Sequence, residues 1–462
     1  MGTVLALEDL RLVGDDTTVP VVGGGRRRQV NLDYAASTPA LVRVREAVDE
    51  FLPWYSSVAR GSGFTSQVAT AALEGAREAV GAFAGCRDDH VVIFVRNTTD
   101  AVNLLAAIQP DRIKVLSSPI EHHANMLPWR DHELELLPFV ESRDDLLEAC
   151  ESALTRADGA IDLLAITGAS NVTGEIWPVA ELAAIAHDHG AQIFVDVAQL
   201  GPHRAIDVAE LDLDYVALSG HKLYAPYGAG ALIGKADRLS RGRPWLKGGG
   251  ATTFVTLNDV VWAAPPARYE AGSPNVVGAV ALGVACDLLQ RVGMGEIAEH
   301  ERALGEQLRR GLSGIDGVRM LRLWPEGACD RLGVVAFVVD GLADGLVAAV
   351  LSAEHAIGVR HGRFCAHPLL ARLLDLSESE AEAMRARVET GAREGLRGAL
   401  RASLGIGTRP EDVEALVAAI RELLEVGPSW SYRQTDAPNH YAPDPDPREF
   451  PDLSCRLVRQ DR

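Results

Sequence analysis

The chain has 462 residues, about three times the usual length of one domain, so two or three domains are expected. Apolar residues make up 47% and charged residues 24%, a balance that is typical of a soluble globular protein and excludes a disordered or fibrous chain. The net charge of −19 argues against a nucleic-acid partner, because an acidic surface repels phosphate backbones. We interpret the one compact basic run, at residues 26–28, as a solvated loop.

The cysteines and the N-terminal segment indicate a cellular compartment. Six cysteines are spread over the chain with neither a CxxC pair nor a zinc-binding spacing, which predicts no disulfide scaffold, no metal site and a reducing environment. The opening residues MGTVLALEDLRLVGDD lack the basic region and apolar core of a signal peptide. No stretch of about 20 apolar residues predicts a membrane span. We therefore expect a soluble, cytoplasmic protein with no membrane partner.

The middle of the chain alternates short apolar strands with amphipathic helices. The predicted strands are 91–95, 114–116, 161–166, 192–197, 215–218 and 231–233, and the predicted helices include 98–108 and 179–189. This alternation predicts an α/β fold with a mostly parallel sheet that is covered on both faces. Ligands in such sheets bind beyond the carboxyl ends of the strands, so we expect the chemistry in the loops after Val95, Ile166, Val197 and Leu218.

After the glycines at 248–250 the pattern changes to a smaller α+β domain. Helices are predicted at 275–291, 297–312 and 346–355, strands at 318–321 and 334–339, and a helix-rich stretch at 378–400. The predicted organisation is an N-terminal arm at 1–30, a large domain at 31–292, a small C-terminal domain at 293–426 and a Pro- and Asp-rich tail at 427–462. The N-terminal segment is a possible contributor to the small domain, and the tail is expected to lie on the surface.

The clearest chemical signal is a lysine that follows an apolar strand. Lys222 ends the segment SGHK at 219–222, where it can form a Schiff base with an aldehyde cofactor if neighbouring groups lower its pKa. A surface lysine is the alternative. Asp196 ends another apolar strand, and Gln199 follows three residues later. Pyridoxal phosphate requires this set, namely an amine for its aldehyde, an acid for its pyridine nitrogen and a donor near its phenolic oxygen.

Two further segments fit the same cofactor. Asn97, Thr98 and Thr99 lie at a strand-to-helix junction, where backbone N–H groups and hydroxyls can hold a phosphate; an ordinary helix cap is the alternative. His122 follows a strand and can stack on a flat ring, whereas we interpret His123 as a hydrogen-bonding residue of the loop.

Seven segments in order carry a resemblance to a known family. They are NLDYAAS at 31–37, RNTTD at 96–100, EHHAN at 121–125, SNVTG at 170–174, DVAQ at 196–199, SGHK at 219–222 and EAGSPN at 270–275. On these segments the chain resembles the class V, fold-type I pyridoxal-phosphate enzymes, specifically the cysteine desulfurase/selenocysteine lyase family. The resemblance implies a large, mostly parallel sheet domain, a smaller C-terminal domain, and a homodimer with each active site at the subunit interface.

The resemblance also implies a role for each matching residue. Lys222 would be the Schiff-base lysine, Asp196 the partner of the pyridine nitrogen and Gln199 the contact to the phenolic oxygen. His122 would stack on the ring, and Asn171 would lie near the phenolic oxygen and the substrate carboxylate. The phosphate would be held by Thr98, Thr99, Ser219 and His221, with Ser273 reaching in from a partner subunit.

The segment RHGRFCAHP at 360–368 resembles the part of this family that carries the sulfur-accepting cysteine. Cys365 would attack the substrate sulfur and hold a persulfide, with Arg360 and Arg363 lowering its pKa. A buried structural cysteine is the alternative, and a metal site with His367 has too few ligands. Arg401 matches the arginine that binds the substrate carboxylate, and Arg360 is a second substrate-binding candidate; a surface arginine after a helix is the alternative.

The chain also departs from the family pattern beside the expected substrate. Ala59 and the pair Arg363–Phe364 replace histidines, and an inserted or extended helix at 377–397 precedes Arg401. We predict conversion of L-cysteine to L-alanine through a persulfide on Cys365, with a protein as a possible sulfur acceptor. The alternatives are an aminotransferase, C–S lyase or epimerase for a specialised amino acid, or a silent binding protein on the same fold. A nicotinamide site is excluded, because no G-x-G-x-x-G segment is present.

Overall fold

A computed structural model describes residues 5–59, 61–110, 112–390, 397–437 and 439–452. Its strands, numbered in chain order, are β1 Thr18–Pro20, β2 Arg26–Arg28, β3 Val30–Asn31, β4 His90–Val95, β5 Lys114–Ser117, β6 Glu133–Leu136, β7 Leu163–Thr167, β8 Gln192–Asp196, β9 Tyr215–Ser219, β10 Gly230–Lys235, β11 Thr252–Val255, β12 Val260–Trp262, β13 Val318–Leu321, β14 Val334–Val339, β15 Ile357–Gly358, β16 Arg360–Gly362, β17 Ala399–Ser403, β18 Tyr432–Gln434 and β19 Tyr441–Pro443.

The α-helices are α1 Val42–Phe51, α2 Phe64–Phe83, α3 Thr98–Ile108, α4 Arg143–Ala157, α5 Val179–Asp188, α6 Ala236–Leu239, α7 Val276–Val292, α8 Met294–Ser313, α9 Asp344–His355, α10 His367–Leu373, α11 Glu378–Glu389 and α12 Pro410–Val426. Short 3-10 helices lie at Leu7–Asp9, Leu52–Trp54, His123–Asn125, Pro128–Asp131, Gly220–Lys222 and Ala267–Tyr269.

The large sheet has seven strands in the order β4-β10-β9-β8-β7-β5-β6. Strand β10 runs antiparallel to both of its neighbours, and the remaining pairs of adjacent strands are parallel. Every residue of β7 and β9 is buried, because these continuous apolar runs have helices against both faces of the sheet. The sheet confirms the predicted fold class.

Residues that alternate along one strand supply the cores on the two faces of this sheet. Ile193 and Val195 of β8 belong to the apolar cluster on one face, and Phe194 between them belongs to the cluster on the other. This alternation follows from the pleat of a strand, in which successive side chains point to opposite faces. Because β8 and β9 are paired in parallel, their carboxyl ends lie side by side, and Asp196 and Ser219 lie at the same edge of the sheet.

The smaller sheet has the order β13-β14-β17-β16, and all of its pairs are antiparallel. Helices α8, α9 and α12 cover it through an apolar cluster of its own. The predicted helix-rich stretch at 378–400 is wrong at its end, because Ala399–Ser403 forms a central strand. Helix α11 covers Glu378–Glu389, and residues 391–396 of the predicted stretch lie outside the described residues. Pairing of this strand with β14 and β16 outweighs the helical propensity of the surrounding sequence.

Two peripheral segments also form strands. The basic run at 26–28, interpreted as a loop, is strand β2 and pairs with β1. Within the tail, β18 and β19 form an antiparallel hairpin that lies against α9, where the Tyr432 hydroxyl donates to Glu354 Oε1 at 2.9 Å. The last ten residues of the tail lie outside the described residues.

Among the described residues, no single helix is both long and apolar enough to cross a membrane. The pair α7 and α8 meets that length and composition only when taken together, and it is bent by 79° between the two helices.

Candidate active site

A cavity of about 220 Å³ opens at the carboxyl ends of β8 and β9. Twelve of the residues selected from the sequence line it: Thr98, Thr99, His122, Asn171, Asp196, Gln199, Ser219, His221, Lys222, Arg360, Cys365 and Arg401. Ser273 is exposed and is not among the lining residues of this single chain. Of the departures from the family pattern, Phe364 lines the cavity, whereas Arg363 and Ala59 do not belong to its described lining.

Lys222 ends the 3-10 helix that directly follows β9, so its side chain starts at the carboxyl edge of the sheet. Burial lowers the pKa of Lys222 to about 8, and the positive charge of Arg401 acts in the same direction. Asp196 and Cys365 oppose this shift. A lysine with such a pKa keeps a useful fraction of neutral, nucleophilic amine near neutral pH.

Asp196 is the last residue of β8, and Gln199 lies on the turn that follows this strand. The Ala198 amide donates to Asp196 Oδ1 at 2.9 Å, and burial raises the pKa of this carboxyl, with Lys222 opposing the rise. Gln199 Nε2 donates to the Ala35 carbonyl at 2.7 Å. Gln199 Oε1 is buried and has no hydrogen-bond partner in the described part of the chain. A buried unpaired polar atom in a cavity wall indicates that a ligand completes the site.

The start of α3 forms the polar end of the cavity. Asn97 caps the helix by accepting from the Asp100 amide at 3.0 Å, and the Thr98 amide donates to Ser219 Oγ at 2.8 Å. The exposed Thr99 follows in the first turn, where N–H groups and hydroxyls favour an anion. Gly230 on β10 permits the close approach, because a Cβ there would lie 2.9 Å from Asn97 Cα.

His122 supplies a flat, uncharged wall. Its Nδ1 accepts from the Ala124 amide at 3.1 Å, so the ring proton is assigned to Nε2. Burial lowers the pKa of His122 to about 3, and nearby Lys222 contributes in the same direction. The neighbouring His123 acts as a loop hydrogen-bonding residue, because its amide donates to the Cys365 carbonyl at 2.8 Å.

Arg401 lies in the middle of β17 and is only 3% exposed, which excludes the alternative of a surface arginine. Its Nη1 donates to the Asn171 carbonyl at 2.9 Å, and its Nη2 donates to Asp33 Oδ1 at 3.1 Å. The guanidinium carbon lies 5.1 Å from the centre of the Phe364 ring. Arg401 Nε is buried without a partner among the described residues, so donor capacity remains for a ligand.

Asp33 is a site residue that the sequence reasoning missed. It accepts from Arg401 at 3.1 Å and lies 3.6 Å from Arg360 Nη1, so both candidate substrate arginines converge on one carboxylate. Burial raises the pKa of Asp33, and the two arginines oppose the rise. Its position inside the matching segment at 31–37 could have indicated a role at the site.

Cys365 is exposed and lines the cavity, which excludes the alternative of a buried structural cysteine. Phe364 and Cys365 both have a φ of 53°, in the left-handed region that costs energy for residues with a side chain. Such backbone conformations cluster at functional sites. By contrast, Cys150 is buried, and burial raises its pKa to about 12.

The residues of this cavity fit pyridoxal phosphate. The cavity contains an amine for the aldehyde, an acid for the ring nitrogen, an imidazole for the ring face and a helix N-terminus for the phosphate. Gln199 adds an amide N–H beyond the one that donates to the Ala35 carbonyl, and this donor suits the phenolic oxygen. Within the described ranges, no three His, Cys, Asp or Glu side chains converge in a way that would hold a metal ion.

Residues 30–416 match the family described as Aminotransferase class-V, which defines the class of this chain. The chain is 35% identical to the "Probable cysteine desulfurase" of Halalkalibacterium halodurans, over 86% of this chain and 93% of that protein. It is 36% identical to the "Cysteine desulfurase" of Dickeya dadantii, over 85% and 91% of the two chains.

Solved structures give the same result. The chain superposes on the apo structure of the cysteine desulfurase from Thermococcus onnurineus NA1 with a TM-score of 0.75 and 31% identity, over 86% of this chain and 95% of that chain. For the cysteine desulfurase CsdA (S-sulfonic acid) of Escherichia coli the TM-score is 0.73 at the same identity and coverage. The chain belongs to the class-V aminotransferase family and, within it, to the cysteine desulfurase family.

Proposed function

We propose that this chain is a pyridoxal-phosphate-dependent cysteine desulfurase that converts L-cysteine to L-alanine and places the sulfur on Cys365. The proposal rests mainly on one observation: the cavity that contains the partly buried amine of Lys222 also contains the exposed thiol of Cys365. A selenol in place of the substrate thiol fits the same arrangement, so selenocysteine is a second substrate of this class.

Residues from four segments hold the cofactor. Lys222 Nζ would bond to its aldehyde carbon, Asp196 would pair with the ring nitrogen, His122 would cover the ring face, and Gln199 would donate its second N–H to the phenolic oxygen. Thr98, Thr99, Ser219 and His221 would hold the phosphate at the start of α3. When bound, the cofactor withdraws electrons from the substrate α-carbon through its protonated ring.

Lys222 would have a second task whenever its amine is not bonded to the cofactor. The freed Nζ accepts the α-proton of the substrate as a general base, for which a pKa of about 8 is well placed. Because His122 is uncharged, it adds no positive charge that would lower the lysine pKa further. Burial thus prepares one side chain for both binding and proton transfer.

Arg401 binds the substrate carboxylate, and the exposed Arg360 and the amide of Asn171 lie in the same cavity. The planar guanidinium matches a carboxylate in geometry and keeps its charge when buried. Since two of its five N–H groups are used by Asn171 and Asp33, three remain for the substrate.

The sulfur transfer step uses the thiolate of Cys365. Its attack on the substrate sulfur forms an S–S bond and breaks the C–S bond, so the sulfur is oxidised and the carbon is reduced. The electron pair of the broken bond stays with the substrate, whose β-carbon takes up a proton and becomes the methyl group of alanine. The exposure of Cys365 then allows an acceptor, either a protein thiol or a small reductant, to remove the sulfur.

The test is product analysis of the purified yellow protein with L-cysteine, with and without a thiol reductant. We expect alanine, and sulfide that depends on the reductant. Pyruvate with sulfide would instead indicate a C–S lyase, a keto acid from an amino donor would indicate an aminotransferase, and a racemised amino acid would indicate an epimerase. A colourless protein that binds no pyridoxal phosphate would contradict the proposed cofactor.

We further propose a homodimer in which Ser273 completes the phosphate site of the partner. Trp245, Leu246, Phe254 and Leu257 are exposed apolar side chains on the loop and hairpin that precede Ser273 along the chain, a surface typical of subunit contacts. Mixing Lys222→Ala with Ser273→Ala chains should restore one intact site per mixed dimer. Cofactor affinity that stays at the level of Ser273→Ala alone would contradict a contribution from the partner.

A further inference from the structure

Phe364 contacts Arg401 in a way that the proposed reaction does not by itself require. Its ring is 9% exposed and lies 5.1 Å from the guanidinium carbon of Arg401. A cation over an aromatic face is attracted by the ring quadrupole, and the attraction grows when both groups are removed from water.

A second connection joins the same residues through Asn171. The Asn171 side-chain amide donates to the Phe364 carbonyl at 2.8 Å, and the Asn171 carbonyl accepts from Arg401 Nη1 at 2.9 Å. Phe364 therefore contacts Arg401 directly through its ring and indirectly through its own carbonyl and Asn171. Three segments that are distant in sequence form one closed set of contacts.

The orientation of Arg401 follows from these contacts. Asn171 and Asp33 accept from the two Nη atoms, the Phe364 ring lies against the guanidinium, and Nε has no partner within the described ranges of the chain. A guanidinium recognises a carboxylate by two parallel N–H bonds, so its plane has to be fixed for the recognition to be specific. Leucine at 364 would fill space but supply no ring quadrupole.

We propose that Phe364 is a positioning residue that orients Arg401 for the carboxylate of an amino-acid substrate; this rests on the proposed role of Arg401. Phe364 immediately precedes Cys365 and shares its left-handed backbone conformation. The same loop thus carries the thiol of Cys365 and contacts Arg401, the proposed carboxylate-binding residue. Because Phe364 acts on the group that binds the carboxylate, its replacement should weaken the binding of ligands that carry a carboxylate and leave the binding of ligands that lack one unchanged.

The test uses the cofactor-loaded enzyme and the variants Phe364→Leu and Phe364→Tyr. Each is titrated with L-alanine and with ethylamine, which differ by the carboxylate, and binding is followed by the change in cofactor absorbance. Phe450→Leu is the matched control, because Arg448 lies 5.5 Å from the Phe450 ring in the tail, outside the cavity. Thermal unfolding of each variant checks that the fold is kept.

We expect Phe364→Leu to weaken L-alanine binding about 5- to 30-fold, the usual range for a desolvated cation–aromatic contact, and to leave ethylamine binding unchanged. Phe364→Tyr keeps a ring and should retain most of the affinity, and KM for L-cysteine should rise more than kcat falls. Equal losses for both ligands, or equal losses in the Leu and Tyr variants, would overturn the proposal. The titration measures binding, so it remains decisive even if the wild-type enzyme makes no alanine from L-cysteine.

Discussion

The pKa of Lys222 can be tested separately from turnover. Burial lowers this pKa to about 8 from an ordinary value of 10.5, and Asp196 is the carboxylate that opposes the decrease. At pH 7 the neutral fraction of the amine is therefore about 300-fold larger than that of an ordinary lysine. Since only the neutral amine attacks an aldehyde, the apoprotein should capture pyridoxal phosphate at a rate that rises with pH, has its midpoint near pH 8 and levels off above that pH.

The perturbation is Asp196→Asn, which removes the negative charge that favours the lysine ammonium. The pKa of Lys222 should fall further, so the midpoint of the capture rate should move below that of the wild type. The assay is the rate of the absorbance increase on mixing apoprotein with the cofactor, from about pH 6 to about pH 10. N-acetyl-lysine methylamide provides the solution reference, and Lys222→Ala provides the blank. A wild-type midpoint near that of the free lysine analogue, or an upward shift in Asp196→Asn, would refute the reasoning.

The other predictions concern sulfur transfer, charge and packing. Cys365→Ser should keep the cofactor absorbance but form alanine about 100-fold or more slowly. Cys329 is partly buried and lies outside the cavity lining, so Cys329→Ser should stay active. Unchanged turnover in Cys365→Ser would exclude the persulfide role. Arg401→Lys should weaken L-alanine binding about 10-fold or more, because one ammonium cannot reproduce a planar fork, and wild-type affinity in this variant would contradict the carboxylate role. Gly230→Ala should lower the free energy of unfolding by about 1–3 kcal/mol, because the new Cβ would lie 2.6 Å from a backbone oxygen. The exposed helical Gly75→Ala should raise it by about 0.5–1 kcal/mol, and thermal unfolding that ranks the two glycine variants in the opposite order would count against the packing argument.

The sequence could predict the catalytic edge because local patterns determine it. Strands β8 and β9 are short apolar runs, and Asp196 and Ser219 are their last residues. Parallel strands end at one edge of a sheet, so Asp196 and Lys222 had to approach each other, although 26 positions separate them along the chain. The start of α3 was predictable from local sequence as well, because Asn97 is a residue type that is strongly preferred at the N-cap of a helix.

The substrate side could not be predicted in the same way, because it depends on long-range pairing. Arg401 belongs to β17, whose neighbours β14 and β16 are distant in sequence. The sequence around Arg401 favours a helix, so local patterns did not predict this strand. Its ion pair with Asp33 joins residues 368 positions apart. No local periodicity indicates that contact. The left-handed backbone at Phe364 and Cys365 is likewise imposed by tertiary structure, since neither residue type favours it.

Lys222 and Arg401, the partly buried and the buried cation of the cavity, show why one position carries a lysine and the other an arginine. Burial lowers the pKa of both Lys222 and Arg401, yet the consequences differ. The pKa of Lys222 is lowered to about 8, so its ammonium loses a proton readily, which suits the proposed roles of nucleophile and base. The guanidinium of Arg401 starts from a much higher value, is hydrogen-bonded to Asp33, and therefore remains charged for a carboxylate. The same desolvation thus favours a neutral amine at Lys222, whereas the ion pair with Asp33 and the high intrinsic pKa of a guanidinium keep Arg401 charged despite it.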